Sequence, residues 1–116
     1  MEAAILYGIR NCDTMKKARA WLDGRGIEYR FHDYKVAGVD MARLERWCGE
    51  AGWEALLNRA GTTFRKLSDS QKHNLDRPKA VALMLAQPSV IKRPVLELDG
   101  KVIVGFRPEL YSSLPW

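Results

Sequence analysis

The feature of the sequence that most constrains the fold is an Asp-Gly pair between two short apolar runs. Asp99 and Gly100 separate Val95–Leu98 from Lys101–Val104. A two-residue type I′ turn needs positive φ at both turn positions, and Asp-Gly is typical of it. The sequence therefore predicts an antiparallel hairpin here, and Pro108 predicts the start of a short helix after it.

The first third of the chain predicts a strand, a helix and a second strand. Residues 3–7 form a continuous apolar run, and residues 28–34 alternate between apolar and polar side chains, which favours a strand in each segment. A helix is predicted over residues 13–24, because apolar residues recur at the spacing of one helical face. These residues are Met15, Ala18 and Leu22.

The middle of the chain, about residues 40–88, predicts a helical insertion. Asp40 is placed to cap the first of its helices. The predicted inner face of that helix consists of Met41, Leu44 and Cys48. Further along, Ser68 and Gln71 have the spacing of a capping box.

Together these elements give the order β-α-β, a helical insertion, then β-β-α. The simplest assembly is a four-stranded mixed sheet with helices packed on it, which is an α/β fold of the thioredoxin-like type. No Pro/Gly/Ser-rich linker divides the chain. We therefore expect residues 1–116 to form a single domain.

The composition indicates a globular protein of the cytoplasm. Hydrophobic residues make up 47% of the chain and charged residues 28%, which is unlike a disordered protein. No apolar run approaches the ~18 residues of a membrane span, and the first residues lack the basic region of a secretory signal. The chain has two cysteines, too few for a disulfide framework. We expect no membrane partner.

The charge of the chain is concentrated in its second half. Residues 1–58 carry nine basic and nine acidic side chains, whereas residues 59–116 carry ten and five, which accounts for the whole net charge of +5. Such an excess suits an anionic partner, either a nucleic acid, a small anion or a peptide carboxylate, and it also fits a solvated basic face. Nucleic acid is not favoured, because no recognition-helix, RNP-like or zinc-finger signature is present.

Cys12 lies at the junction of the first predicted strand and the first predicted helix. The N-terminus of a helix favours an anion, and a thiolate is such an anion. Arg10 and Lys16 are close to Cys12 along the chain and are predicted to stabilise the thiolate, whereas Asp13 opposes it. The alternative is a small buried side chain without reactivity, which is the usual state of a free cysteine.

The surroundings of Cys12 do not match three common cysteine motifs. A dithiol site needs a second cysteine at position 15, which is Met15. A phosphatase-type cradle needs an arginine at a fixed spacing from the cysteine, and the spacing from Cys12 to Arg19 is one residue too long. The two histidines stand apart from both cysteines, so we expect no metal site. A lone nucleophile of this kind needs an external thiol to resolve its adduct. Cys48 is interpreted as a core residue, with a slow resolving thiol as the alternative.

Five segments, in this order and spacing, resemble a known family over nearly the whole chain. They are residues 7–18 (YGIRNCDTMKKA), 56–59 (LLNR), 64–67 (FRKL), 91–95 (IKRPV) and 105–109 (GFRPE). The chain resembles the arsenate reductase (ArsC)/Spx family of thioredoxin-like proteins, and more closely its small YffB-type members. The resemblance implies a thioredoxin-like core with a helical insertion and a nucleophilic cysteine at Cys12.

The resemblance also implies arginines that bind an oxyanion or glutathione. Arg93 and Arg107 match two of these positions, and Pro94 matches the proline that is commonly cis before this strand. At the third position this chain has Asn58 where the arsenate reductases have arginine, and Arg59 follows it. One residue along a helix turns a side chain by ~100°, so Arg59 need not point where the arginine of the arsenate reductases points. The alternative role for Arg93 and Arg107 is surface ion pairing.

The function that the resemblance implies is a glutathione-dependent thiol reductase. Its partners are glutathione, as co-substrate, and an oxidised thiol substrate, and no bound cofactor is expected. Two other functions remain open, an arsenate reductase and a non-enzymatic regulator of the Spx kind that binds RNA polymerase. The second of these requires a protein partner.

Overall fold

Four strands form one mixed sheet in the computed structural model, which describes residues 4–116. The strands are β1 (Ala4–Gly8), β2 (Tyr29–Asp33), β3 (Val95–Leu98) and β4 (Lys101–Val104), in the order β2-β1-β3-β4. Strand β1 pairs in parallel with β2 and antiparallel with β3, and β3 pairs antiparallel with β4. This confirms the predicted thioredoxin-like fold. Residue 3, where the first strand was predicted to begin, lies outside the described residues.

The chain separates into two compact units. The first contains the sheet and comprises the chain up to Tyr34 and from Arg93 to Trp116, and the second comprises Lys35–Lys92. The second unit corresponds to the helical insertion between β2 and β3 that the sequence predicts. The expectation of a single domain over residues 1–116 stays a prediction.

In the first unit, helix α1 (Asp13–Gly24) connects β1 to β2 and packs on the sheet. Its predicted apolar face is confirmed, since Met15, Ala18 and Leu22 are fully buried. The core that they join contains Leu6 and Leu96 from the sheet and Tyr111 from the C-terminal helix.

The β3–β4 hairpin has the turn that the sequence predicts. Asp99 and Gly100 have φ angles of 48° and 79°, so both turn positions are left-handed, as a type I′ turn requires. After β4, a short helix occupies Pro108–Ser112 and begins at the predicted proline.

The second unit begins within α2. Its helices are α2 (Tyr34–Ala37), α3 (Met41–Ala51), α4 (Trp53–Leu56), α5 (Thr62–Arg65), α6 (Asp69–Lys72) and α7 (Arg77–Ala86), and a 3-10 turn follows at Pro88–Val90. The short helix after β4, in the first unit, is α8 (Pro108–Ser112). The Asp40 carboxylate accepts a hydrogen bond from the Arg43 backbone at 2.7 Å, which confirms the predicted cap. The Ser68–Gln71 capping box is also present.

The predicted inner face of α3 is wrong at one position. Met41 is 57% exposed, whereas Leu44, Trp47 and Cys48 are buried. Met41 is the first residue of α3, and side chains on a helix tilt toward its N-terminus, so this one extends past the packed part of the helix. Among residues 4–116, no helix is long and apolar enough to span a membrane.

Candidate active site

Cys12 is the residue immediately before helix α1, and its backbone is extended (φ −141°, ψ 130°). Its carbonyl accepts the Lys16 N–H at 2.9 Å, which makes Cys12 the N-cap. The connection from β1 depends on Gly8, because a Cβ there would overlap the Met15 sulfur. The end of β1 and the first turn of α1 are therefore packed closely, and the half-buried Cys12 lies between them in the chain.

Arg93 is the side chain that contacts this thiol. Its Nε donates a hydrogen bond to Cys12 Sγ at 3.4 Å, across 81 residues of sequence. Arg93 lies just before β3, and the Arg93–Pro94 peptide is cis. The cis proline that the resemblance implied is therefore present, and the Arg93 guanidinium faces the Cys12 sulfur.

The pKa of Cys12 reflects opposing effects. Partial burial raises that pKa, whereas the backbone N–H of Met15, the Arg93 side chain and the backbone N–H of Thr14 lower it. The net pKa lies below the ordinary value of a cysteine thiol, since helix N-terminal amides and a guanidinium both favour a thiolate. Chemically, the arrangement offers a sulfur nucleophile beside a fixed positive charge.

Tyr34 belongs to the same cluster, although it is not among the site residues predicted from the sequence. Its side chain is fully buried, and its phenol is hydrogen-bonded to the Arg93 guanidinium. Burial raises the pKa of Tyr34 to about 12, although Arg93 opposes that rise.

One signal in the sequence could have identified Tyr34. It was predicted as the last residue of a strand over 28–34, but β2 ends at Asp33, which pairs with Gly8 at the end of β1. Because parallel strands bring their carboxyl ends to one edge of a sheet, the residue after β2 and the loop after β1 had to be neighbours.

Three predicted residues of the first unit have exposed side chains. Arg10 and Lys16 flank Cys12 in sequence, whereas the groups that most lower the pKa of its thiol are two backbone amides and Arg93. Arg107 is the N-cap residue of α8 and lines a groove of about 790 Å³ with Thr14 and Lys17 of α1. The roles predicted for Arg10, Lys16 and Arg107 stay predictions.

The remaining predicted residues lie in the second unit. Asn58 donates its backbone N–H to the Val90 carbonyl at 2.8 Å. Arg59 is exposed, and its guanidinium lies over the Trp53 ring, 5.5 Å from the centroid. Anion binding by Asn58 and Arg59 stays a prediction.

Cys48 lies on the buried face of α3, as predicted. Burial raises the pKa of its thiol, with Arg77 opposing and Glu45 adding to the rise. Arg77 and Glu45 themselves form an ion pair of 2.9 Å. Cys48 is thus packed and protonated at neutral pH, which fits a core residue.

Across residues 4–116, no group of three or more His, Cys, Asp and Glu side chains is placed to hold a metal ion. The side chains brought together around Cys12 are a guanidinium and a phenol, and their chemistry toward a ligand is hydrogen bonding and positive charge.

Comparison with known proteins assigns this chain to a family. Residues 7–114 match the ArsC family. A solved YFFB protein is 61% identical, with coverage of 96% of this chain and 97% of its own and a TM-score of 0.93. An arsenate reductase (ArsC) related protein from Brucella melitensis is 57% identical, with coverage of 97% and 93% and a TM-score of 0.79.

Two curated relatives extend this comparison. An uncharacterised protein of Haemophilus influenzae is 41% identical over 108 residues, which are 93% of this chain and 95% of that protein. The global transcriptional regulator Spx of Lactiplantibacillus plantarum is 23% identical over 114 residues, 96% of this chain and 86% of Spx. The resemblance read from the five segments is confirmed, and this chain belongs to the ArsC family.

Proposed function

We propose that this protein is a glutathione-dependent thiol reductase of the cytoplasm, with Cys12 as its nucleophile. The observation that carries the proposal is the 3.4 Å contact of Arg93 Nε with Cys12 Sγ at the start of α1. A thiolate stabilised in this way attacks sulfur readily and is also a good leaving group in the reverse exchange. A single cysteine at the site calls for an external thiol, and glutathione is the one that we propose.

The proposed cycle has two thiol–disulfide exchanges. The Cys12 thiolate attacks the glutathione sulfur of a mixed disulfide, a Cys12–glutathione disulfide forms, and the substrate leaves as a thiolate that takes a proton from water. The thiolate of a free glutathione then attacks the glutathione sulfur of this adduct. Oxidised glutathione leaves, and the Cys12 thiolate is restored.

The two carboxylates of glutathione give the predicted arginines a role. A guanidinium binds a carboxylate with two parallel hydrogen bonds and stays charged at every physiological pH. We assign Arg93 and Arg107 to this binding, with Asn58 and Arg59 as further contributors. No bound cofactor is needed for either exchange.

Turnover of a glutathione–cysteine mixed disulfide, with free glutathione present, tests the proposal. Cys12→Ser should abolish turnover, and the matched variant Cys48→Ser should retain it. Full activity of Cys12→Ser would overturn the mechanism. Arg93→Ala should raise the glutathione concentration needed for half-maximal rate, and an unchanged concentration would remove Arg93 from glutathione binding.

A regulatory role is the second candidate, because curated relatives across nearly the whole chain are named Spx regulators. For this role we would expect the protein to retain RNA polymerase in a pull-down with purified components. Retention by Cys12→Ser, together with no mixed-disulfide turnover by the native protein, would favour the regulator. The arsenate reductase alternative is tested by supplying arsenate in place of the mixed disulfide.

A further inference from the structure

The Arg93 side chain is held between two groups of different chemistry. Its Nε donates to Cys12 Sγ at 3.4 Å, and its guanidinium is also hydrogen-bonded to the Tyr34 phenol. A guanidinium is planar and has only donors, so the phenol oxygen must be the acceptor in the second contact. Two hydrogen-bond acceptors on one rigid plane restrict its orientation.

We propose that Tyr34 is a positioning residue, which holds the Arg93 guanidinium in the orientation that places its Nε against the Cys12 sulfur. This inference rests on the proposed function, because it assigns a role within the same thiol site. Tyr34 acts through Arg93 and need not touch the substrate.

The position of Tyr34 in the fold suits such a role. It follows Asp33, the last residue of β2, which is paired with Gly8 at the end of β1. Its side chain is fully buried, whereas Arg93 is only partly buried. The phenol is therefore a fixed point of the core, from which a longer and less buried side chain can be oriented.

A phenol has an advantage over a carboxylate at this place. An aspartate or glutamate bound to Arg93 would offset its positive charge and weaken its effect on the thiolate. With its pKa raised to about 12 by burial, Tyr34 stays neutral wherever the thiol functions. It therefore orients the cation without cancelling its charge.

The test is a double-mutant cycle read by the pH midpoint of Cys12 alkylation, in a Cys48→Ala background and without glutathione. Tyr34→Phe should raise the midpoint and slow alkylation at neutral pH by about twofold to fivefold, the effect of one hydrogen bond. Arg93→Ala should raise the midpoint further. Added to Arg93→Ala, Tyr34→Phe should then change nothing, because its effect passes through Arg93.

Tyr111→Phe is the matched control, since it removes another fully buried phenol hydroxyl from the same unit. It should leave the midpoint unchanged. An unchanged midpoint in Tyr34→Phe, or an equal change with and without Arg93, would overturn the proposal. If Tyr34→Phe does not fold, Arg93→Lys is used in its place. A lysine ammonium lacks the planar fork that reaches both the thiol and the phenol, so the pH midpoint of Cys12 alkylation should rise. A native midpoint in Arg93→Lys would overturn the proposal.

These readouts do not require turnover. If the protein proves not to be a reductase, the Tyr34 effect on the Cys12 midpoint still stands or falls by itself. Conversely, a working reductase with a native midpoint in Tyr34→Phe would reject only the positioning role.

Discussion

At the scale of single residues, a cation that is distant in sequence contributes to the ionisation of Cys12. Arg10 and Lys16 are its nearest basic neighbours along the chain, but the guanidinium that contacts its sulfur belongs to Arg93, 81 positions away. Distance along a chain says little about distance in a fold once strands from both ends share one sheet.

Replacing Arg93 by Ala is therefore expected to raise the pKa of Cys12. The thiolate is the reactive form, so the alkylation rate at neutral pH should fall, roughly threefold to tenfold for a charged hydrogen bond at a half-buried site. The pH profile of iodoacetamide alkylation measures both quantities. Lys101→Ala, at an exposed cation of β4, is the control, and an equal midpoint in the two variants would contradict the role of Arg93.

The same alkylation profile decides the roles predicted for Arg10 and Lys16. If either side chain stabilises the thiolate, its replacement by Ala raises the Cys12 midpoint as Arg93→Ala does. A native midpoint in both variants would leave the helix N-terminus and Arg93 as the stabilising groups.

A second prediction at this scale concerns the hydroxyl of Tyr111. Within residues 4–116, the Tyr111 Oη is buried without a hydrogen-bond partner, and such a group costs about 1–3 kcal/mol. Tyr111→Phe keeps the ring, which packs edge-on against Phe106 at 4.7 Å, and removes the hydroxyl. We expect the free energy of unfolding to increase by about 1 kcal/mol, measured by urea denaturation.

Tyr7→Phe is the matched comparison for Tyr111→Phe. The Tyr7 hydroxyl donates to the buried Glu97 carboxylate at 3.1 Å, so its removal leaves an acceptor with one partner fewer. This variant should be destabilised by about 1–2 kcal/mol. Equal effects of the two substitutions would show that hydrogen bonding is not what distinguishes the two phenols.

At the scale of elements, local sequence rules account for most of what is observed. The hairpin turn, the Asp40 cap and the Ser68–Gln71 capping box all form where the sequence predicts them. Each depends on contacts within about four residues, so the sequence contains the whole of the interaction. The error at Met41 arises because a periodic pattern says which face is apolar but not where packing along the helix begins.

The hairpin turn gives a prediction for a single glycine. Gly100 has a φ of 79°, which costs a residue with a Cβ about 1–2 kcal/mol. We expect Gly100→Ala to lower the free energy of unfolding by that amount. Gly24→Ala, at the end of α1, meets nothing within 4 Å, and should be neutral or slightly stabilising. Equal urea midpoints for the two variants would contradict the strain assigned to Gly100.

At the scale of the whole molecule, buried phenols predict how stability depends on alkaline pH. Burial raises the pKa of Tyr34 to about 12 and raises that of Tyr111 as well. Above the ordinary tyrosine pKa of about 10, the unfolded chain releases these protons and the native protein keeps them. The stability that these two phenols contribute is therefore full below about pH 10 and is lost as the pH rises from there through the native pKa values.

The expected decline is about 1.4 kcal/mol per pH unit for each buried tyrosine. Urea denaturation at a series of pH values between about 9 and 11.5 measures it. Tyr111→Phe should reduce the slope of the free energy of unfolding against pH by the contribution of one tyrosine. An identical slope in this variant would mean that Tyr111 does not stay protonated in the native protein.

The sequence alone determined the order of elements, the hairpin turn, the buried face of α1 and the place of Cys12 at a helix N-terminus. These features follow from interactions between near neighbours in the chain and from the periodicity of apolar residues. Only the tertiary structure decided that Arg93 contacts the thiol, that the Tyr34 phenol is bonded to Arg93 and that, within residues 4–116, the Tyr111 hydroxyl has no hydrogen-bond partner. Each of these depends on side chains brought together by strand pairing and core packing, for which a local pattern contains no signal.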